Sequence, residues 1–184
     1  MRVCTILWRR LDAPGIDACR LDESDDGWAL HGSAACSIDD APTRLDYRVT
    51  CDHQWRTREG IVCGWVGTQL ISLTITRASD GRWRLGDSVI AELDGCADLD
   101  FGFSPATNLL QLRRIALVIG ESADVPVAWL DVRSGTLSRL EQRYHRVSET
   151  EYAYEAPRFD YRATLEVNAC GFALRYPGLW VVIS

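Results

Sequence analysis

Two aspartates, Asp98 and Asp100, stand two residues apart in the run Cys96-Ala-Asp-Leu-Asp-Phe101. In an extended chain such positions share a face. The two carboxylates could therefore converge on a metal ion or divide general acid and base roles. The same pair could instead bond the following turn or cap a helix. Further on, Arg113 and Arg114 could grip an anionic head group, or bond carbonyls and aspartates at a helix end. Glu141 is a third candidate acid or base. The histidines, His31, His53 and His145, lie among polar or charged neighbours and read as solvated or hydrogen-bonded rings.

Aromatic side chains offer a different chemistry. The chain holds seven Trp and six Tyr. Tyr47, Trp55, Tyr144 and Tyr176 sit among polar residues, and Gln142 shares the face of Tyr144 on a strand. Aromatic faces stack on sugar rings and line apolar cavities, while their polar tips satisfy hydroxyls. The alternative role is to fill the inside of a curved sheet. No phosphate-cradling Gly-rich loop, Gly-x-Ser-x-Gly elbow or His-Glu-x-x-His motif occurs.

The elements that must position these residues are nearly all strands. Arg44–Asp52 alternates Leu45, Tyr47, Val49 and Cys51 against Arg44, Asp46, Arg48, Thr50 and Asp52, a strand with one buried face. Similar stretches at 2–9, 16–21, 28–38, 59–65, 68–77, 82–85, 88–93 and 96–101 are separated by turns such as Asp25-Asp-Gly27 and Ser79-Asp-Gly81. Past the middle, 116–119, 126–132, 136–147, 151–155, 158–168, 172–176 and 179–183 also read as strands. Between the two groups, Pro105 stops the strand and Thr107 or Asn108 can cap a helix. Leu109, Leu112 and Ile115 then recur at helical spacing. The pattern predicts a short helix near 106–116, with Arg113 and Arg114 at the negative end of its dipole. Roughly fifteen strands and one helix, with turns every 8–12 residues, make a mainly β, mostly antiparallel single domain over 1–184.

Composition narrows the partners. A net charge of −6 with no lysine among 20 basic residues disfavours nucleic acid. No window approaches the roughly 20 apolar residues of a transmembrane helix. The N-terminal apolar run is too short for a signal peptide, so the expected location is the cytoplasm. The seven cysteines are scattered and read as small buried thiols, and no metal or cofactor is implied.

The run Asp98-Leu-Asp-Phe-Gly-Phe-Ser-Pro-Ala-Thr-Asn-Leu-Leu-Gln-Leu-Arg-Arg-Ile115 resembles a bacterial family described as glycolipid-binding. Leu45-Asp-Tyr-Arg-Val-Thr-Cys-Asp52 with Trp55-Arg-Thr-Arg58, Gln142-Arg-Tyr144 and Gly171-Phe-Ala-Leu-Arg-Tyr-Pro-Gly178 carry the same resemblance over nearly the whole chain. It implies a spiral β-roll, a long antiparallel sheet wrapped around a single helix, and a homodimer. It also implies a non-enzymatic protein that holds a lipid or glycolipid in the concave sheet. The residues proposed to touch that ligand are Arg113, Arg114, Gln142, Tyr144, Tyr47, Trp55, Tyr176, Asp98 and Asp100. Two alternatives stand beside it: an enzyme using Asp98, Asp100 or Glu141 on a small polar substrate, and a dimeric interaction module without a ligand.

Overall fold

The computed structural model describes residues 3–184. Alternation sets the first half. β1 (Val3–Arg10), β2 (Gly15–Ser24), β3 (Gly27–Ile38), β4 (Ala41–Cys51), β5 (Thr57–Val66), β6 (Gln69–Arg77), β7 (Trp83–Leu85) and β8 (Ser88–Ile90) form consecutive antiparallel hairpins. In β4, Thr43, Leu45, Tyr47, Val49 and Cys51 are buried while Arg44 and Arg48 face out, as the period of two requires. The first strand was expected over 2–9; its Arg2 lies outside the described residues.

β9 (Asp98–Phe101) is different, because all four of its residues are buried. A one-turn 3-10 helix at Pro105–Thr107 leads from it into α1 (Asn108–Ile115). Ser104 starts the turn by accepting the Ala106 N–H at 3.1 Å. Ala116, in the left-handed region at φ 44°, ends α1. Asn108, Leu109, Leu110, Gln111 and Leu112 are all buried, so the helix is enclosed on every side through its first turns.

The second half comprises β10 (Ser122–Asp124), β11 (Val127–Asp131), β12 (Thr136–Leu140), β13 (Arg143–Arg146), β14 (Glu151–Ala156), β15 (Tyr161–Val167), β16 (Ala173–Tyr176) and β17 (Trp180–Val182). One 14-stranded sheet runs β10-β13-β14-β15-β16-β17-β1-β2-β3-β4-β5-β6-β7-β8. It is antiparallel, rolled around the helix, and open, with β10 and β8 as its two free edges. A small second sheet, β12-β11-β9, lies inside it, with β11 parallel to β9. The first and last strands pair at the middle of the long sheet, Trp8 opposite Val182 and Arg10 opposite Trp180.

Five expectations change; two are small, since the strands expected over 88–93 and 158–168 give way in part to 3-10 turns at Ala91–Leu93 and Pro157–Phe159. The strand expected over 136–147 is two strands in different sheets: the chain leaves the inner sheet after Leu140 and enters the long one at Arg143. Leu140, Gln142 and Tyr144 still point inward, so the alternation survives while the hydrogen-bonding partners switch. Residues 116–119 form no strand; the backbone there is occupied closing the helix and the turn into β10. The cysteines are not all buried thiols. Cys4 of β1 and Cys170 of the β15–β16 turn are joined in a disulfide with Cα atoms 6.6 Å apart, and Cys63 is exposed. Their separation of 166 residues hides this pair from any reading of local spacing.

Candidate functional site

A cavity of about 360 Å³ opens where the end of β9 and the turn before α1 face strands β14 to β17. Its size falls at the lower end of ordinary small-molecule sites, about 300–1,000 Å³. Tyr154, Tyr161 and Tyr176 form one wall, their rings 5.4–6.1 Å apart. Trp129 and Phe159, 5.3 Å apart, with Phe101 and Trp180, make the rest of the aromatic lining. Phe159 is half exposed, which sets it at the rim.

The floor is polar. Asp100 reaches the cavity from β9, Asn108 from the start of α1, and Ser104 from the turn between them. Each is fixed by bonds beneath. The Thr107 hydroxyl donates to Asp100 Oδ1 at 3.0 Å and Gln142 Nε2 donates to Oδ2 at 2.5 Å. Tyr144 donates its hydroxyl to Gln142 Oε1 at 3.2 Å and accepts from Asn108 Nδ2 at 2.9 Å. Thus Gln142 orients the carboxylate on one side and a tyrosine on the other. Burial pushes the Asp100 carboxyl up to about 6, against the pull of its two donors.

A second network lies behind Ser104. Its hydroxyl donates to Asp17 Oδ2 at 2.5 Å, and Tyr47 donates to both Asp17 oxygens at 3.1 Å. The Ser104 and Tyr47 oxygens are themselves 3.0 Å apart, closing a triangle. Asp17 is fully buried, and burial raises it to about 6. Gly32 makes room for this arrangement, because a Cβ there would overlap the Tyr47 ring.

Sequence reasoning selected residues that fall into three places. Asp100 and Tyr176 line the cavity, Gln142 and Tyr144 support its floor, and Tyr47 touches it through Ser104. Asp98 and Arg114 are occupied with each other: the guanidinium bonds the carboxylate through two nitrogens at 2.7–2.9 Å, and Asp98 is fully buried. Arg113 donates to the carbonyls of Ala169 and Cys170 at 2.8 Å and lies over Trp55, which stacks on Trp28 at 4.2 Å. That group is separate from the cavity lining. Glu141 points to the surface and pairs with Arg139, so the three carboxylates considered for catalysis do not meet. His53 and His145 bond the Asp25 carbonyl and the Ser122 hydroxyl.

Asp17, Ser104, Asn108, Trp129, Tyr154 and Tyr161 were missed. One signal was available for Asp17: it shares the inward face of β2 with Cys19 and Leu21, a carboxylate on an otherwise apolar face.

Comparison with known proteins places this geometry in context. No helix among the described residues is long and apolar enough to cross a membrane. No curated protein matches the chain. Among solved structures it is similar to a DUF1089 family protein from Pseudomonas aeruginosa, with a TM-score of 0.81, 27% identity and 90% of each chain covered. Residues 5–181 match the family described as "Putative glycolipid-binding", and the chain belongs to that family.

Proposed function

We propose that the protein binds an amphipathic, glycolipid-like molecule by its head group, without transforming it. The observation that carries this reading is the cavity itself: aromatic walls above a fixed, hydrogen-bonding floor. Sugar rings present apolar faces to tyrosine and tryptophan and hydroxyls to carboxylate and amide groups. A volume of about 360 Å³ equals roughly a dozen water volumes at about 30 Å³ each. It suits one sugar-sized group rather than a whole two-chain lipid. The acyl part would then leave past Phe159, where each CH₂ it buries contributes roughly 0.8 kcal/mol. A homodimer and a cytoplasmic location remain part of this proposal.

The test is native mass spectrometry of protein purified from its host, followed by extraction of any adduct. An added mass that extracts as an amphiphile, and that is lost when Ala156 in the cavity wall is replaced by Phe, is the expected result. Recovery of the bare chain alone, with no uptake of any short-chain alkyl glycoside, would overturn the proposal.

A further inference from the structure

We propose that the head group held in this cavity is cationic, carrying a protonated amine that pairs with Asp100. This rests on the binding proposal above and names the chemistry of its ligand. The argument begins with how the chain treats its other buried aspartate on β9. Asp98, two residues away, is compensated by a two-nitrogen ion pair with Arg114. Asp100 receives only the neutral donors Thr107 and Gln142, and among the described residues no arginine pairs with it. A buried carboxylate without a cation is costly, yet this one faces a space that a ligand can enter. Two donors leave part of its lone-pair capacity unused on the cavity side.

Three further features point the same way. The cavity lining contains Asp100 and no basic side chain. Behind Ser104 a second buried carboxylate, Asp17, likewise has only hydroxyl donors. The walls are aromatic, and the faces of tyrosine and tryptophan attract an ammonium group by their quadrupoles. Two guanidiniums do approach cavity indoles, Arg158 over Trp129 at 4.9 Å and Arg10 over Trp180 at 5.7 Å. Both lie outside the lining, and Arg10 is neutralised by Asp12. The arginines that could have received an anionic head, Arg113 and Arg114, are spent on carbonyls and on Asp98. Carboxylate plus aromatic wall therefore selects an ammonium-bearing amphiphile, such as one with an amino-sugar head, over a neutral or acidic one.

Three octyl glycosides that differ in one group test this: the β-D-glucoside, the 2-amino-2-deoxy-β-D-glucoside and the β-D-glucuronide. Each is titrated below its micellar concentration at neutral pH, with calorimetry and tryptophan fluorescence as readouts. The amino sugar is expected to bind about tenfold or more tighter than the glucoside, the size of one charge-assisted bond with an aromatic contact, and the glucuronide weakest. Asp100→Asn should erase the difference between amino sugar and glucoside. Equal or reversed affinities in the wild type sink the cationic head group while leaving the binding proposal standing, and this comparison does not depend on any variant folding. A preference that survives Asp100→Asn also overturns it. If none of the three binds, the binding proposal itself falls, and this inference with it.

Discussion

Replacing Asp17 by Asn isolates the cost of one buried charge. Asp17 is fully buried and bonded only to the hydroxyls of Tyr47 and Ser104. Burial moves its carboxyl from an ordinary 3.8 to about 6, which corresponds to about 3 kcal/mol. Because the folded value is raised, this contribution to stability is fully present below the unfolded value. It is lost as pH rises through about 6. Tyr47, Cys19 and Cys36 around it are pushed up from their ordinary values by burial, so none of them titrates in this window. Asparagine can keep the triangle closed: its amide donates to Ser104, Ser104 to Tyr47, and Tyr47 to the amide oxygen. One amide hydrogen is left over, a pH-independent cost of about 1–3 kcal/mol. The informative quantity is therefore the change in the difference between variant and wild type. Urea unfolding followed by fluorescence and circular dichroism should show that difference moving in favour of Asp17→Asn by about 2 kcal/mol between about pH 4 and about pH 7. A difference that stays flat across this range, or moves the other way, would refute the claim that Asp17 is ionised and uncompensated at neutral pH.

Three more outcomes are expected. Arg114→Ala strands the buried Asp98 charge and should cost about 3–5 kcal/mol at neutral pH; adding Asp98→Asn should recover much of that loss in the same unfolding assay. Gly32→Ala drives a methyl into the Tyr47 ring, so a loss of about 1–3 kcal/mol is expected, together with a changed near-ultraviolet tyrosine signal; an unchanged melting curve would contradict the packing described. Peptide mapping without reductant should recover Cys4 linked to Cys170, and reduction should lower stability by roughly 2–4 kcal/mol; finding both as free thiols in carefully oxidised protein would remove that bridge from the fold.

How much of this was legible beforehand depends on distance along the chain. The alternation in Arg44–Asp52 predicts β4 because a half-buried strand writes its burial directly into neighbouring residues. The helix was legible from the three-residue spacing of Leu109, Leu112 and Ile115, but not its burial on every side, which takes in Asn108 and Gln111 as well. Residues 136–147 misled because alternation reports which way side chains point, not which strand lies alongside, and the change of sheet at Glu141-Gln142 leaves the pointing intact. The cavity was mostly invisible. Asp17 meets Ser104 across 87 residues and Asp100 meets Gln142 across 42. Asp100 and Tyr176 were picked for their chemistry, but Asp100 could not be told from Asp98 by type or spacing. What separates them is that Arg114 satisfies one and nothing charged satisfies the other.

The pairing of the first strand with the last has a bearing on how the sheet is assembled. β17 does not extend an edge; it sits between β16 and β1 and joins a wing of five strands to a wing of eight. During synthesis the wing that starts with β1 can zip outward through successive hairpins while its inner margin waits for β17, which is made after all the other described strands. Until then β1 is a temporary edge, with its outer backbone groups unpaired and open to pairing with another chain. Removing Trp180–Ser184 would therefore not trim the sheet but divide it, leaving two sheets held together by β9, α1 and the Cys4–Cys170 bridge.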